Sequence, residues 1–100
     1  MSMVIREEKN GDTLIVKPEG RLDTLTTREL EAFLKDRYDQ AQSLVLDFEN
    51  VTYISSAGLR LVIQAHKIMK EKDGLVVRNV SPEVRKVFEV TGYVHVVKFE

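Results

Sequence analysis

Residues 43–80 read as strand, helix, strand, and that unit constrains the fold more than any other feature of the chain. SLVLDF (residues 43–48) is a short apolar run of the kind that suits a strand buried on both faces. A helical pattern begins near Ser56 and runs to about Lys72, with Gly74 beyond its end. LVVRNV (residues 75–80) is the next strand. Two strands joined this way are parallel, and the crossover between them is right-handed. The expectation is therefore an α/β fold.

The flanks extend the pattern. Asn10-Gly11 is a strong hairpin turn pair between two strand candidates, the second centred on Leu14, Ile15 and Val16 and ended by Pro18 and Gly20. A first helix follows. Thr26 is its expected N-cap, with Glu29 completing a capping box and Leu25 and Leu30 closing a hydrophobic staple. Leu30, Phe33, Leu34 and Tyr38 then share one face. Ser81-Pro82 opens a third helix with Val84, Val87 and Phe88 inside and Gly92 as terminator. YVHVVKF (residues 93–99) reads as a last strand, with His95 at a surface position. The order is β-β-α-β-α-β-α-β: a mixed sheet with helices mainly on one face. Leu14, Val16, Leu46, Phe48 and Val76 are the expected sheet core, with Phe33 and Phe88 packed on it.

Composition narrows the function. The chain has 100 residues, room for one small domain, and 43% of them are hydrophobic, which suits a globular chain. Fifteen basic and 16 acidic residues leave a net charge of −1, so there is no electrostatic reason to bind nucleic acid or an anionic membrane. Cysteine is absent, which excludes disulfides and thiolate metal sites. Neither a leader-like apolar run at the amino terminus nor a membrane-length apolar stretch is visible, so a soluble, cytoplasmic protein is expected. His66 and His95 have no nearby ligand pair, and no cofactor fingerprint is present.

The stretch VTYISSAGLRLVI (residues 51–63) sets two serines and a glycine between a strand-like run and a helix. A helix amino terminus offers unpaired N–H groups and the positive end of a dipole. Three roles are open to a serine there: cap, nucleophile or phosphate acceptor. A nucleophile needs a base within reach, and His66 lies about ten residues along the same helix, roughly 15 Å away at 1.5 Å per residue. The helix itself is apolar over an arc of roughly 220°, from Leu59, Leu61, Val62, Ile63, Ala65, Ile68 and Met69. Either neighbouring helices cover its flanks, or an apolar strip beside Ser56 docks a partner. Asp47, ending the strand before the motif, either accepts loop N–H bonds or helps place a partner's metal-nucleotide.

These segments resemble a known family. LVLDFENVTYISSAGLRLVI (residues 44–63) is similar to the signature of the STAS domain of bacterial anti-sigma factor antagonists. GRLDTLTTREL (residues 20–30) and VRNVSPEVRKVFEVTGY (residues 77–93) resemble that family's segments around its first helix and its last strand and helix. The resemblance covers nearly the whole chain and implies a single STAS-like domain over residues 1–100. It implies a regulator that binds an anti-sigma factor serine kinase when unphosphorylated, is released by phosphorylation, and is reset by a serine phosphatase. The implied acceptor is Ser56, two residues before Gly58-Leu59. Many members carry Asp immediately before that serine; this chain has Ser55, which is the lesser candidate acceptor. The implied partner surface is Asp23, Thr24, Ser55, Ser56, Ala57, Gly58, Leu59 and Arg60. The chain would act without cofactor or metal, as a monomer or weak dimer. The alternatives are a STAS scaffold in a circuit without sigma factors and, remotely, a small serine hydrolase.

Overall fold

The computed structural model describes residues 3–100. The expectation about the amino terminus falls partly on Met1 and Ser2, outside the described residues. The turn at Asn10-Gly11 joins β1 (Val4–Asn10) to β2 (Thr13–Leu22) in an antiparallel hairpin. β2 then serves two partners. Residues 13–16 pair in parallel with β3 (Ser43–Asp47), and residues 20–22 pair in parallel with β4 (Val51–Ile54). Pro18 and Gly20 therefore do not end the strand. Pro18 sits between the two parallel ladders, where its missing N–H costs least. Gly20, at φ +107°, takes up the register shift before Arg21, in a conformation that residues with a Cβ avoid.

β3 continues in parallel to β5 (Leu75–Arg78), and β5 to β6 (Lys98–Phe99). The sheet has six strands in the order β1-β2-β3-β5-β6, with β4 beside β2. Val51–Ile54 is thus one strand more than the expected order contained. The closing segment also differs. Tyr93–His95 is a 3-10 turn, and only Lys98–Phe99 is strand. Gly92, at φ +81°, ends α3 (Pro82–Val90), and the Tyr93 carbonyl accepts the N–H groups of Val96 and Val97, which are thereby lost to a ladder. His95 is exposed on that turn.

α1 (Thr24–Lys35) begins earlier than its Thr26-Glu29 pattern suggests. β2 stops at Leu22, so Asp23 caps the helix, with Thr26 as the returning partner of the capping box. Leu25 consequently stands in the first turn, 59% exposed, and staples nothing. α2 (Ser56–Met69) ends with Lys70 as its C-cap rather than near Lys72, whose ammonium instead donates to the Tyr38 and Ala41 carbonyls.

Register explains the core. Leu14, Leu44 and Leu75 lie side by side, as do Val16, Leu46 and Val77, and all six are buried. They form one cluster with Leu30 and Leu34 of α1, Val62 and Met69 of α2, and Val84 and Phe88 of α3. Phe88 meets Phe99 edge-on, with ring centres 5.1 Å apart. Phe48 is fully buried, and Phe33 packs half-buried against the cluster. The intervening row, Ile15, Val45 and Val76, faces the other way and is half-buried. β3 is therefore fully buried on one face only, and Val76 is outside the core while its neighbours Leu75 and Val77 are in it. On α2, Leu59, Leu61, Val62, Ile63, Ala65 and Met69 are buried and Ile68 is half-buried. Neighbouring elements cover the wide apolar arc, and α2 presents no exposed apolar strip.

Candidate functional site

The site is made by two strands that stop at the same level. Leu22 and Ile54 are register partners, and each is the last residue of its strand. One residue follows each, Asp23 and Ser55, and then a helix begins. The Ser55 N–H donates to the Leu22 carbonyl at 2.8 Å and ties the two exits together. Parallel pairing thus sets two helix amino termini side by side at one sheet edge. Both turn their positive dipole ends outward.

Both cap side chains accept N–H groups of the helices they open. The Asp23 carboxylate accepts from the N–H groups of Leu25 at 3.0 Å and Thr26 at 2.9 Å, and the Asp23 N–H donates to the Thr26 hydroxyl at 3.0 Å. The bond from the Thr26 N–H, then that from its hydroxyl, hold the Asp23 carboxyl below its ordinary 3.8. The half-buried Ser55 accepts the Gly58 N–H on its hydroxyl at 3.2 Å. Ser56, the first residue of α2, is exposed, and its hydroxyl has no hydrogen bond among the described residues. Two serines that look equivalent in sequence are therefore different groups, one a cap and one a free hydroxyl. His66 is about ten residues along the same helix, roughly 15 Å from Ser56, so it does not serve as its base.

Gly58 lets the first turn of α2 press against the strand ends. A Cβ on it would stand 2.8 Å from Ile54 Cγ1 and 3.2 Å from both the Cβ and the carbonyl oxygen of Leu22. Gly58 and Leu59 are both buried, so they shape this edge from beneath and do not offer the contact surface expected of them. Thr24 and Arg60 are exposed, and Ala57 is half-buried.

Arg21, Tyr53 and Arg28, and the exposure of Leu25, escape a reading of the sequence alone. The Arg21 guanidinium lies 4.0 Å over the ring of Tyr53, its cross-strand partner one position before the strands end. Tyr53 is 40% exposed, and Leu25 stands out from the first turn of α1. Arginine-aromatic pairs of this kind are common anchors in interfaces. Their only signal is the register of β4, which the chain does not announce. Arg28 shares with Arg60 a cleft of about 280 Å³ between α1 and α2.

Asp47, 4% exposed, ends β3. Burial opposes its charge. Hydrogen bonds from the Asn79 amide at 3.0 Å, the Glu49 N–H at 3.1 Å and the Arg78 guanidinium at 3.3 Å outweigh that, and its carboxyl is held below the ordinary value. Of the two roles expected for it, the structure supports loop anchoring.

Known proteins share this fold. The STAS domain family model matches residues 4–100. BtrV of Bordetella bronchiseptica, named as a candidate anti-sigma factor antagonist, is 34% identical over 96 residues, covering 94% of this chain and 83% of its own. An anti-sigma-B factor antagonist of Staphylococcus aureus is 37% identical over 79 residues, covering 77% of this chain and 73% of its own. The anti-sigma factor antagonist SpoIIAA of Bacillus has the same fold. Its unphosphorylated form matches with a TM-score of 0.81 at 23% identity, covering 97% of this chain and 88% of that one. Its phosphorylated form matches with a TM-score of 0.74 at 22% identity, covering 97% and 91%. With a match that spans nearly its whole length, the chain belongs to the STAS domain family.

Proposed function

We propose that this chain is an anti-sigma factor antagonist of the partner-switching kind. Unphosphorylated, it binds an anti-sigma factor serine kinase and so frees a sigma factor. The kinase phosphorylates Ser56, the complex parts, and a serine phosphatase resets the protein. One observation carries the choice of residue: of the two serines at this edge, Ser56 is exposed with an unbonded hydroxyl among the described residues, while Ser55 is held as a cap. The antagonist names of the relatives support the role, and SpoIIAA, solved in both forms, supports a fold that accommodates the modification.

The chemistry of release follows from where the charge lands. Phosphorylation adds about −1.5 to −2 charges. The free N–H groups at the start of α2 make that charge tolerable to the fold. A partner seated on Ser56, Thr24, Leu25 and the Arg21–Tyr53 pair instead has to bury it. Losing about 2.7 kcal/mol lowers affinity roughly 100-fold, and taking a phosphate out of water at an interface can exceed that. Incubation with the cognate kinase and ATP, followed by peptide mass spectrometry, tests the residue. Phosphate on Ser56, abolished in Ser56→Ala and retained in Ser55→Ala, is expected. Phosphate on Ser55 alone would refute the assignment.

A further inference from the structure

We propose that a phosphate on Ser56 is clamped by the chain's own arginines, Arg60 one turn along α2 and Arg28 across the cleft on α1. The proposal rests on Ser56 as the acceptor. Ser56 and Arg60 are four residues apart on one helix, so their Cβ atoms are neighbours at about 5–6 Å. At 3.6 residues per turn Arg60 stands about 40° around the axis from Ser56, and Gln64 lies about 40° further the same way. Arg60 therefore separates Ser56 from the cleft that it lines with Gln64, Thr27 and Arg28.

That cleft carries two arginines held by no carboxylate among the described residues. Neither Arg28 nor Arg60 takes part in an ion pair among the described residues, whereas Arg6, Arg37, Arg78 and Arg85 all do. Thr27, which also lines it, is 7% exposed, and its hydroxyl oxygen is buried beneath the cleft surface. The acid on the wall is Glu31, a turn beyond Arg28. Asp23, the other acid of this edge, is already bonded to the first N–H groups of α1.

The clamp gives Arg60 a role in both states. In the unmodified protein it is a free surface cation beside the hydroxyl. In the modified protein it is drawn onto the phosphate, so the surface offered to a partner changes at two residues instead of one.

The test uses the whole chain with phosphoserine introduced at position 56 during translation, titrated by ³¹P NMR at about 0.15 M salt, where distant charges are screened. A paired cation favours the dianion and lowers the second phosphate pKa from its ordinary value of about 6. Arg60→Gln should raise that pKa by roughly half a unit, the scale of an exposed ion pair, and Arg28→Gln by less. Lys98→Gln, on β6, should leave it unchanged. Identical titrations in the unsubstituted, Arg60→Gln and Arg28→Gln proteins would overturn the clamp. A shift with Arg60→Gln alone would overturn the part given to Arg28. Because the phosphate is installed without a kinase, a kinase that spares Ser56 would defeat the antagonist reading without touching this result.

Discussion

Gly58→Ala places a methyl group where the fold has no space. The new Cβ would lie 2.8 Å from Ile54 Cγ1, well inside the about 3.5–4.0 Å of ordinary carbon contact. The next atoms it meets, the Cβ and carbonyl oxygen of Leu22 at 3.2 Å, belong to a residue that is 0% exposed. Ile54 is itself 2% exposed, so neither neighbour can swing into solvent. The first turn of α2 has to lift off the strand ends, at the about 1–3 kcal/mol typical of overpacking. Alanine returns part of this through helix propensity, at most about 1 kcal/mol and less in a first turn. A net loss of about 1–2 kcal/mol follows, which for a domain of this size lowers Tm by roughly 5–15 °C. Thermal and urea denaturation measure it. Ile54→Ala supplies the control, because it removes the clashing atom. In that background Gly58→Ala should cost little or even stabilise, an interaction a double-mutant cycle detects. A Gly58→Ala protein as stable as the parent would refute the close approach and, with it, the placement of Ser56.

Further expectations concern the core and the carboxylates. Leu46→Ala, at a residue 1% exposed, should lower stability by about 2–5 kcal/mol, read as a lower urea midpoint. Asp47 and Asp23 are both held below their ordinary 3.8 in the fold, so the unfolded chain takes up those protons first. Their contribution is intact well above that value and is lost as pH falls through it towards the lower folded values, and Asp47→Asn should flatten this acid limb of the urea midpoint. Asp23→Ala removes the acceptor of two N–H groups and should lower Tm, whereas Asp23→Asn, which still accepts, should retain most of it. Burial, helped by Glu31, pushes the Tyr38 phenol up to about 12, so the highest-pH component of an ultraviolet tyrosine titration should vanish in Tyr38→Phe.

Much of the fold is legible because local signals and tertiary structure agree. Ser81-Pro82 and Gly92 bracket α3 by chemistry that works without help from elsewhere. The hairpin at Asn10-Gly11 and the β3-α2-β5 crossover are equally plain. The misreadings fall where a distant strand decides. Thr26-Glu29 and Asp23-Thr26 both fit a capping box, and the second prevails because β2 is held in its ladder up to Leu22. Pro18 normally ends a strand, yet here it bridges two ladders that only the register of β3 and β4 creates. Val76 and Val77 are indistinguishable by composition, and pairing with Leu46 puts Val77 inside. The site follows the same rule. Ser56, Asp23 and Gly58 are visible in the chain, whereas Arg21, Tyr53 and Arg28 join them only through the pairing of β2 with β4 and the packing of α1 beside α2.

In the proposed antagonist, charge at one serine switches binding on an unchanged fold. Calorimetric titration of the cognate anti-sigma factor kinase, with the unmodified protein and with the protein carrying phosphoserine at position 56, tests it most directly. The phosphorylated protein should bind with a Kd at least about 100-fold weaker, a difference of about 2.7 kcal/mol, with superimposable far-UV circular dichroism. Equal affinities for the two forms would contradict it.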